Sequence, residues 1–455
     1  MTTPVPPDEL EQRLIADINR RGPITFEAFM QAALYDEYHG YYPTRRRRPG
    51  TTPVGTDGDY FTSPVTHPAF GALLALQLRQ MWQRLGSPGE LTVVEMGAGE
   101  GVLGSDIVEY AERELPDFAP VIRYVATDPV PPAVAEPPAG SATRPKLEAG
   151  SLPMAPPVGE VSELPSRVLG CVISNELLDA FPVNRFIIDG GRVCEIFVGY
   201  EDGAFVEVID DVSDLEIEAR VASFVGSFPD SYRGEVNLGL SGWADAVSAT
   251  LERGYVITVD YGYDRPDLYT PTRPEGSLRC YYQHTLGQDP LRRIGKQDIT
   301  SHVDFSAVDH ALAATGFGFV GRATQTEFLV NLGIEEFRKG VNEQSLRREL
   351  SRAESEEEWA GIGALIDPDG LGRFRVVVHS RGLGDTGDRA GPDGRGGETG
   401  LTGLDGGSPL ASETAVPLVK TSSAGHARLL RSGNPFGQPQ IDSLPNWEQL
   451  FSEEP

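Results

Sequence analysis

The feature that most constrains the fold is a series of short apolar runs, separated by helix-like segments, that starts at residue 91. The runs are LTVVE (91–95), VIRYVAT (121–127), RVLGCVIS (167–174), YVITVD (255–260) and RFRVVVH (373–379). Continuous apolar strands that alternate with helices are typical of a parallel sheet covered on both faces. The pattern therefore predicts an α/β fold in which the last run closes the sheet and the ordered body ends near residue 380.

The rest of the chain differs from this pattern. Residues 1–90 carry apolar side chains at helical spacing, which predicts an N-terminal helical region with a glycine-rich lid loop at 55–64. Within the core of 91–380, residues 184–250 begin with short runs joined by an Asp-Gly-Gly turn, which predicts a small inserted antiparallel element. Residues 381–455 open with a Gly/Pro-rich stretch that cannot bury enough apolar surface to offset its ordering entropy, so a disordered tail is predicted.

The first predicted strand runs into the glycine-rich turn EMGAGEG (95–101). Glycines at such a turn let the backbone pass close to a ligand at the carboxyl end of the strand. A dinucleotide-binding loop would have a small residue in place of Val102, and an acid such as Glu95 fits poorly beside a pyrophosphate. The same acid suits the cationic amino-acid end of S-adenosylmethionine. The turn therefore favours S-adenosylmethionine over a nicotinamide dinucleotide, and the predicted contacts are Glu95, Gly97, Ala98, Gly99 and Gly101.

Further candidate cofactor contacts come from three neighbouring places. An acid that ends the second strand can accept hydrogen bonds from ribose hydroxyls, or it can cap the turn that follows. Two residues after the expected third strand are predicted to border the adenine. Three residues of GDYFTSP (58–64) are predicted to fold over the cofactor as a lid, with a plain surface loop as the alternative. The candidates are Asp128 for the ribose, Ser151 and Leu152 for the adenine, and Asp59, Thr62 and Ser63 for the lid.

The methyl-acceptor side is predicted at SNELLDAFP (174–182), where the fourth strand ends beside the reacting centre. Methyl transfer needs an in-line lone pair roughly 3 Å from the methyl carbon. A guanidinium is protonated near neutral pH, so carboxylates must localise its charge and receive a proton as it is methylated. Asn175, Glu176 and Asp179 form a suitable catalytic cluster, and Asn175 is also placed to contact the cofactor. Asp260 at the end of the fifth strand is a further catalytic candidate; capping of helices or turns is the alternative for all of them.

The composition of the chain restricts the kinds of binding partner that we expect. The chain has 67 acidic against 39 basic residues and a formal net charge of −28, which argues against nonspecific binding to nucleic acid or an anionic membrane and suits a cationic substrate. The three cysteines form no CxxC pair and the seven histidines form no HExxH motif, so no metal site is predicted. No run reaches the ~18 apolar residues that span a bilayer, and the first residues resemble neither a signal peptide nor a presequence. We therefore expect a cytoplasmic protein.

A set of segments, taken together and in order, resembles the MidA-like S-adenosylmethionine-dependent methyltransferases. These segments are ITFEAFMQAALYDEYHGYY (24–42), GDYFTSP (58–64), VEMGAGEGVLGSDI (94–107), SNELLDAFPVNRF (174–186), VDYGY (259–263), EGSLRCYYQH (275–284) and DITSHVDF (298–305). The resemblance implies a class I methyltransferase with a Rossmann-like sheet, an N-terminal helical part and an inserted element.

The resemblance also has implications for the acceptor. The family includes a mitochondrial enzyme that methylates an arginine of a complex I subunit, so the resemblance implies an S-adenosylmethionine-dependent enzyme that methylates arginine in a protein partner. A respiratory complex I subunit is one candidate partner. A small-molecule methyltransferase, or an assembly or scaffold protein that no longer turns over, remains an alternative. A homodimer is left open.

Overall fold

The computed structural model describes residues 8–47, 61–128, 148–151, 164–283, 285–287 and 289–383. Its helices are α1 (Glu9–Arg21), α2 (Phe26–Tyr35), α3 (Tyr41–Arg47), α4 (Ser63–Thr66), α5 (Ala69–Arg84), α6 (Val102–Glu114), α7 (Leu215–Val221), α8 (Leu240–Thr250), α9 (Arg265–Leu268), α10 (Phe305–Ala314), α11 (Gln325–Leu332), α12 (Ile334–Leu346) and α13 (Arg352–Leu365). Its strands are β1 (Ile24–Thr25), β2 (Leu91–Met96), β3 (Ile122–Asp128), β4 (Glu148–Ser151), β5 (Val168–Asn175), β6 (Asn184–Asp189), β7 (Arg192–Glu201), β8 (Ala204–Asp210), β9 (Arg233–Val236), β10 (Leu251–Asp260), β11 (Gly262–Tyr263), β12 (Arg279–Tyr282), β13 (Thr285–Gly287), β14 (Asp298–Thr300), β15 (Val303–Asp304), β16 (Gly318–Thr324) and β17 (Arg375–Arg381).

The central element is a seven-stranded sheet in the order β16-β17-β10-β5-β2-β3-β4. The strands from β10 to β4 pair in parallel, whereas β17 pairs antiparallel with both β10 and β16. Helices α5, α6 and α11–α13 supply buried side chains to one core cluster, while α8 and α10 supply the other. Because both faces are covered, the inner strands β2, β5 and β10 are mostly apolar and buried along most of their length. The predicted α/β fold with a Rossmann-like sheet is confirmed.

A second sheet, built on β1-β7-β6-β9 with β8 beside β7, is antiparallel. It includes a strand from the N-terminal region, since Ile24 pairs with Val198 and Thr25 with Phe197. The apolar side chains of α1 and α2 pack against the same sheet and share a core cluster with Val198. The N-terminal helices and the inserted element therefore form one layer of structure.

The predicted bounds of the inserted element, 184–250, need a correction. Its strands end at Val236, and the helix that follows, α8, belongs to the main core. Leu240, Trp243 and Val247 of α8 are buried with strand residues of the seven-stranded sheet. Their spacing places them on one face of the helix, and this face covers the sheet.

The predicted end of the core at residue 380 falls one residue short, because β17 extends to Arg381. The predicted tail from residue 384 onward lies outside the described residues. Among the helices that are described, none is long and apolar enough to cross a membrane.

Candidate active site

The candidate residues meet along the carboxyl edge of the parallel sheet. Met96 at the end of β2 pairs with Ser174 of β5, and Asn175 pairs with Val259 of β10. The turn after β2, the segment after β5 and Asp260 therefore lie side by side. In open α/β sheets this edge is where ligands bind.

The turn between β2 and α6 requires glycine. Gly97 has a φ of +79°, and a Cβ there would lie 2.8 Å from Leu177 Cδ1 of the neighbouring segment. Gly101 has a φ of +74° and is the N-cap residue of α6, and its N–H donates to the carbonyl of Ala98 at 2.8 Å. Gly97 therefore has no room for a side chain, whereas a Cβ at Gly99 would meet no described atom within 4 Å, and α6 begins directly after the turn.

Glu95 is held in place at the start of the turn. Its side chain is buried, with 3% of its surface exposed. The Tyr124 hydroxyl donates to Glu95 Oε2 at 2.8 Å, and the Thr127 hydroxyl donates to the Glu95 carbonyl oxygen at 2.9 Å. Burial raises the pKa of the nearby Asp106 on α6 well above its usual range, and the charges of Glu109 and Glu95 raise it further. The hydrogen bond from Tyr124 fixes the orientation of the Glu95 carboxylate beside the predicted cofactor turn.

Three carboxyl groups gather at the ends of β5 and β10. Asp260 accepts hydrogen bonds from the N–H groups of Leu178 (2.9 Å) and Tyr261 (2.9 Å), so it fixes the chain that follows β5. Glu176 accepts a bond from the Asn175 side-chain amide at 3.0 Å. Asp179 is hydrogen-bonded by the side chain of Tyr261. The structure brings the three predicted acceptor residues together with Asp260, and the roles of all four stay a prediction.

Burial controls the ionisation of this cluster. The pKa of Glu176 is raised to about 8, because burial and the charge of Asp179 outweigh the opposing hydrogen bonds from Ser63 and Asn175. Burial also raises the pKa of Asp179, while the Tyr261 bond lowers it. Asp260 has a pKa well above its usual range because it is buried and faces Asp179. Such a cluster favours a bound cation, which would stabilise the charged carboxylates.

Two acceptor atoms in the cluster are buried without a hydrogen-bond partner among the described residues. They are Asn175 Oδ1 and Asp179 Oδ1. Buried polar atoms are paired in most proteins, so an exception points to a role or to a bound group. Together with the raised pKa of Glu176, these atoms suit a cationic ligand with several N–H donors.

Of the three predicted lid residues, two lie at the start of α4 and one lies outside the described residues. Asp59 lies outside the described residues, whereas Thr62 is the N-cap residue of α4. The Ser63 N–H donates to Glu176 Oε1 at 3.1 Å, and the Ser63 hydroxyl donates to Gln325 Oε1 at 2.9 Å. Ser63 therefore contacts the acceptor cluster, and its predicted contact with the cofactor stays a prediction.

The predicted ribose and adenine contacts lie along the same edge. Asp128 ends β3 and pairs in register with Ser151, which ends β4. Leu152 lies outside the described residues. The parallel register places Asp128 one strand and Ser151 two strands away from β2 at the same edge of the sheet, and their contacts with the cofactor stay a prediction.

Sequence reasoning missed Tyr124 and Tyr261 as site residues. Tyr124 orients Glu95 from the next strand, and Tyr261 hydrogen-bonds to Asp179 from the residue after Asp260. The motif VDYGY contains Tyr261 and was a signal for it. For Tyr124 no local signal exists, because its contact depends on the pairing of β3 with β2.

Known proteins share this architecture. The model of a family described as "Putative S-adenosyl-L-methionine-dependent methyltransferase" matches residues 73–322. Protein arginine methyltransferase NDUFAF7 homolog, mitochondrial, of Drosophila melanogaster is 26% identical over 402 residues, which cover 82% of this chain and 85% of that protein. The Homo sapiens protein arginine methyltransferase NDUFAF7, mitochondrial, is 25% identical over 399 residues, which cover 81% of this chain and 83% of that protein.

A solved structure is similar over nearly all of its length. It is a Burkholderia thailandensis protein bound to S-adenosyl-homocysteine, with a TM-score of 0.67 and 27% identity, covering 84% of this chain and 96% of that one. Its ligand is the product that S-adenosylmethionine leaves after methyl transfer, in agreement with the predicted cofactor.

The expected cytoplasmic location is wrong by these comparisons, since the similar arginine methyltransferases are named as mitochondrial proteins. The expectation relied on the lack of a recognisable leader and of a membrane-spanning run, and neither feature identifies a compartment. The glycine turn, the parallel sheet and the match to the family model all support the same assignment. The chain is an S-adenosylmethionine-dependent methyltransferase and belongs to the MidA-like methyltransferase family.

Proposed function

We propose that this enzyme methylates a guanidino nitrogen of an arginine in a protein partner. The observation that carries the proposal is the buried acidic cluster of Glu176, Asp179 and Asp260 beside the cofactor turn. The names of the similar proteins from Drosophila melanogaster and Homo sapiens support arginine as the acceptor. The resemblance to the family makes a respiratory complex I subunit the first partner to test.

The cofactor turn fits S-adenosylmethionine. Gly97 lies against Leu177, a Cβ at Gly99 would meet no described atom within 4 Å, and Glu95 lies fixed at the start of the turn. In our proposal Glu95 receives the cationic amino-acid end, the backbone of 97–101 lies along it, and Asp128, Ser151 and Leu152 border the nucleoside. When bound, S-adenosylmethionine supplies an activated methyl group for an in-line displacement.

The acceptor cluster holds the guanidinium. In our proposal Asn175 Oδ1 and Asp179 Oδ1 accept its N–H groups and fix its plane, so that one nitrogen points along the displacement axis. Asp260 holds the segment of Leu178 in place through its backbone hydrogen bonds. Alignment of this kind can supply much of the rate enhancement, because it removes rotational freedom before the reaction.

Glu176 receives the proton. A guanidinium that gains a methyl group still carries one positive charge, so one N–H proton must leave as the new N–C bond forms. A group with a pKa near the working pH is the best acceptor of that proton, and the pKa of Glu176 is raised to about 8. A bound guanidinium favours the charged carboxylate and so prepares Glu176 to act as the general base.

The test uses the full chain with S-adenosylmethionine that carries a labelled methyl group. We expect label in arginine of a protein fraction from a strain that lacks this enzyme, identified by mass spectrometry of methylated peptides. Asp179→Asn should abolish transfer while S-adenosylmethionine still binds, and Glu356→Gln, on the exposed face of α13, should behave as the unchanged enzyme. Label in a metabolite with none in arginine would refute the proposal.

A further inference from the structure

A cavity of about 410 Å³ lies at the acceptor end of the same sheet edge. It is formed by β11, the residues that precede β17 and the start of β17. The lining residues that matter here are Tyr261, Tyr263, His302, Gly372, Arg373 and Arg375. The volume is within the range of small-ligand sites.

The cavity is basic in an acidic protein. Arg373 and Arg375 contribute two guanidinium groups, and none of the described residues that line it is an aspartate or glutamate. Burial, together with the charges of nearby arginines, lowers the pKa of His302 to about 3, so this histidine is neutral. The positive charge therefore comes from the two arginines, against a chain with a net charge of −28.

Both guanidinium groups are held by the fold. Arg373 Nη2 donates to the Tyr263 hydroxyl at 3.3 Å, and Arg375 Nε donates to the Gly262 carbonyl at 3.3 Å. The nearest acid to Arg375 is Asp264, 3.7 Å from its Nη1 atom, and Asp264 also pairs with Arg322. Arg322 pairs with Asp309 as well, and Asp264 does not line the cavity, so the lining keeps two guanidinium groups and, among its described residues, no carboxylate.

One side chain joins this cavity to the acceptor cluster. The Tyr261 ring lies 5.4 Å from the His302 ring, and its side chain hydrogen-bonds to Asp179. A substrate whose guanidinium meets Asp179 would therefore pass the cavity with the adjoining part of its chain. An extended peptide advances about 3.3 Å per residue, so the width of one tyrosine corresponds to about two or three residues.

We propose that this cavity binds the carboxylate of an aspartate or glutamate a few residues from the methylated arginine. The proposal rests on the proposed function, since it deepens the choice of substrate at the same site. Arg373 and Arg375 recognise the carboxylate by charge-assisted hydrogen bonds, which are stronger than neutral ones. The acidic cluster then binds the arginine of the substrate, and the basic cavity binds its carboxylate.

The test measures peptide binding to the full chain with S-adenosylhomocysteine present, so that no turnover occurs. Fluorescent peptides carry one arginine and a glutamate at each position up to three residues away, and each has a twin with glutamine instead. We expect one spacing at which the glutamate peptide binds about tenfold more tightly than its twin. Arg375→Gln and Arg373→Gln should each reduce this preference, and Arg375→Lys should retain part of it because the charge remains.

Arg352→Gln is the matched control, because this arginine side chain is 92% exposed on α13 and should leave the preference unchanged. Thermal unfolding of every variant checks that the fold is retained. Equal binding of both twins at every spacing, or a preference that survives both glutamine variants, would overturn the cavity's role. A preference that depends on the two arginines, together with no methyl transfer to any peptide when S-adenosylmethionine replaces S-adenosylhomocysteine, would support the cavity and refute arginine methylation.

Discussion

At the scale of single residues, the turn after β2 depends on Gly97. A left-handed conformation disfavours a side chain by about 1–2 kcal/mol, and a Cβ here would also displace Leu177, two residues from Asn175. We expect Gly97→Ala to weaken S-adenosylmethionine binding about tenfold or more, measured by calorimetry. Gly89→Ala is the control, since a Cβ there meets no atom within 4 Å. Equal affinities of the two variants would contradict this account of the turn.

Glu176 should impose a pH dependence on the reaction. Its pKa is raised to about 8, so it is mostly protonated at neutral pH and gains its charge as the pH rises. If Glu176 takes the proton, kcat/KM rises about tenfold per pH unit well below that pKa and becomes level above it. The inflection in kcat should lie at lower pH, because the bound guanidinium stabilises the carboxylate. Glu176→Gln should remove the rise; a variant with the same pH profile as the original enzyme would exclude Glu176 as the base.

At the scale of elements, the short helix α4 positions Glu176 and is itself anchored to α13. The Ala69 N–H donates to His67 Nδ1 at 3.1 Å, so His67 Nε2 carries the proton and donates to Glu358 Oε2 at 3.0 Å. Both side chains are buried. This bond fixes the turn that brings the Ser63 N–H to Glu176.

Removing this anchor should destabilise the protein. Glu358→Ala leaves a buried imidazole N–H without its acceptor, and we expect a loss of about 1–3 kcal/mol in the free energy of unfolding. The control is Glu356→Ala on the same helix, where a surface ion pair with Arg352 contributes at most about 1 kcal/mol. Denaturant unfolding measures both variants. Equal losses would show that the His67 bond does not hold α4.

The elements also show which parts of the fold a sequence can predict. The caps at Asp8 and Thr25 and the glycine turn after β2 are local, because each depends on residues within one turn of chain. The gathering of Asn175 and Asp260 is predictable as well, since parallel strands end at one edge. The contact of Ser63 with Glu176 and the pairing of β1 with β7 are not, because they join segments far apart in the chain.

At the scale of the whole molecule, the last described strand is an inner strand of the main sheet. β17 lies between β10 and β16, and Arg381 at its end donates to the Ser248 hydroxyl at 2.8 Å and to the Ser248 carbonyl at 3.1 Å. This arginine therefore ties the sheet to α8 on its face. Because β17 is antiparallel to β10, Arg381 pairs with Gly254 at the far end of the sheet, while Arg375 at the start of β17 pairs with Asp260 at the acceptor edge.

Two truncated chains test where the required part of the molecule ends. A chain cut after Leu383 keeps β17 and Arg381, so we expect methyl transfer and unfolding temperature close to those of the full chain. A chain cut after Ser380 loses the Arg381 bonds, and we expect about 1–3 kcal/mol less stability because the Ser248 carbonyl loses a charged donor. Activity assays and thermal unfolding measure both. Loss of turnover in the longer chain, despite a folded core, would mean that residues beyond 383 take part in catalysis or in binding the acceptor.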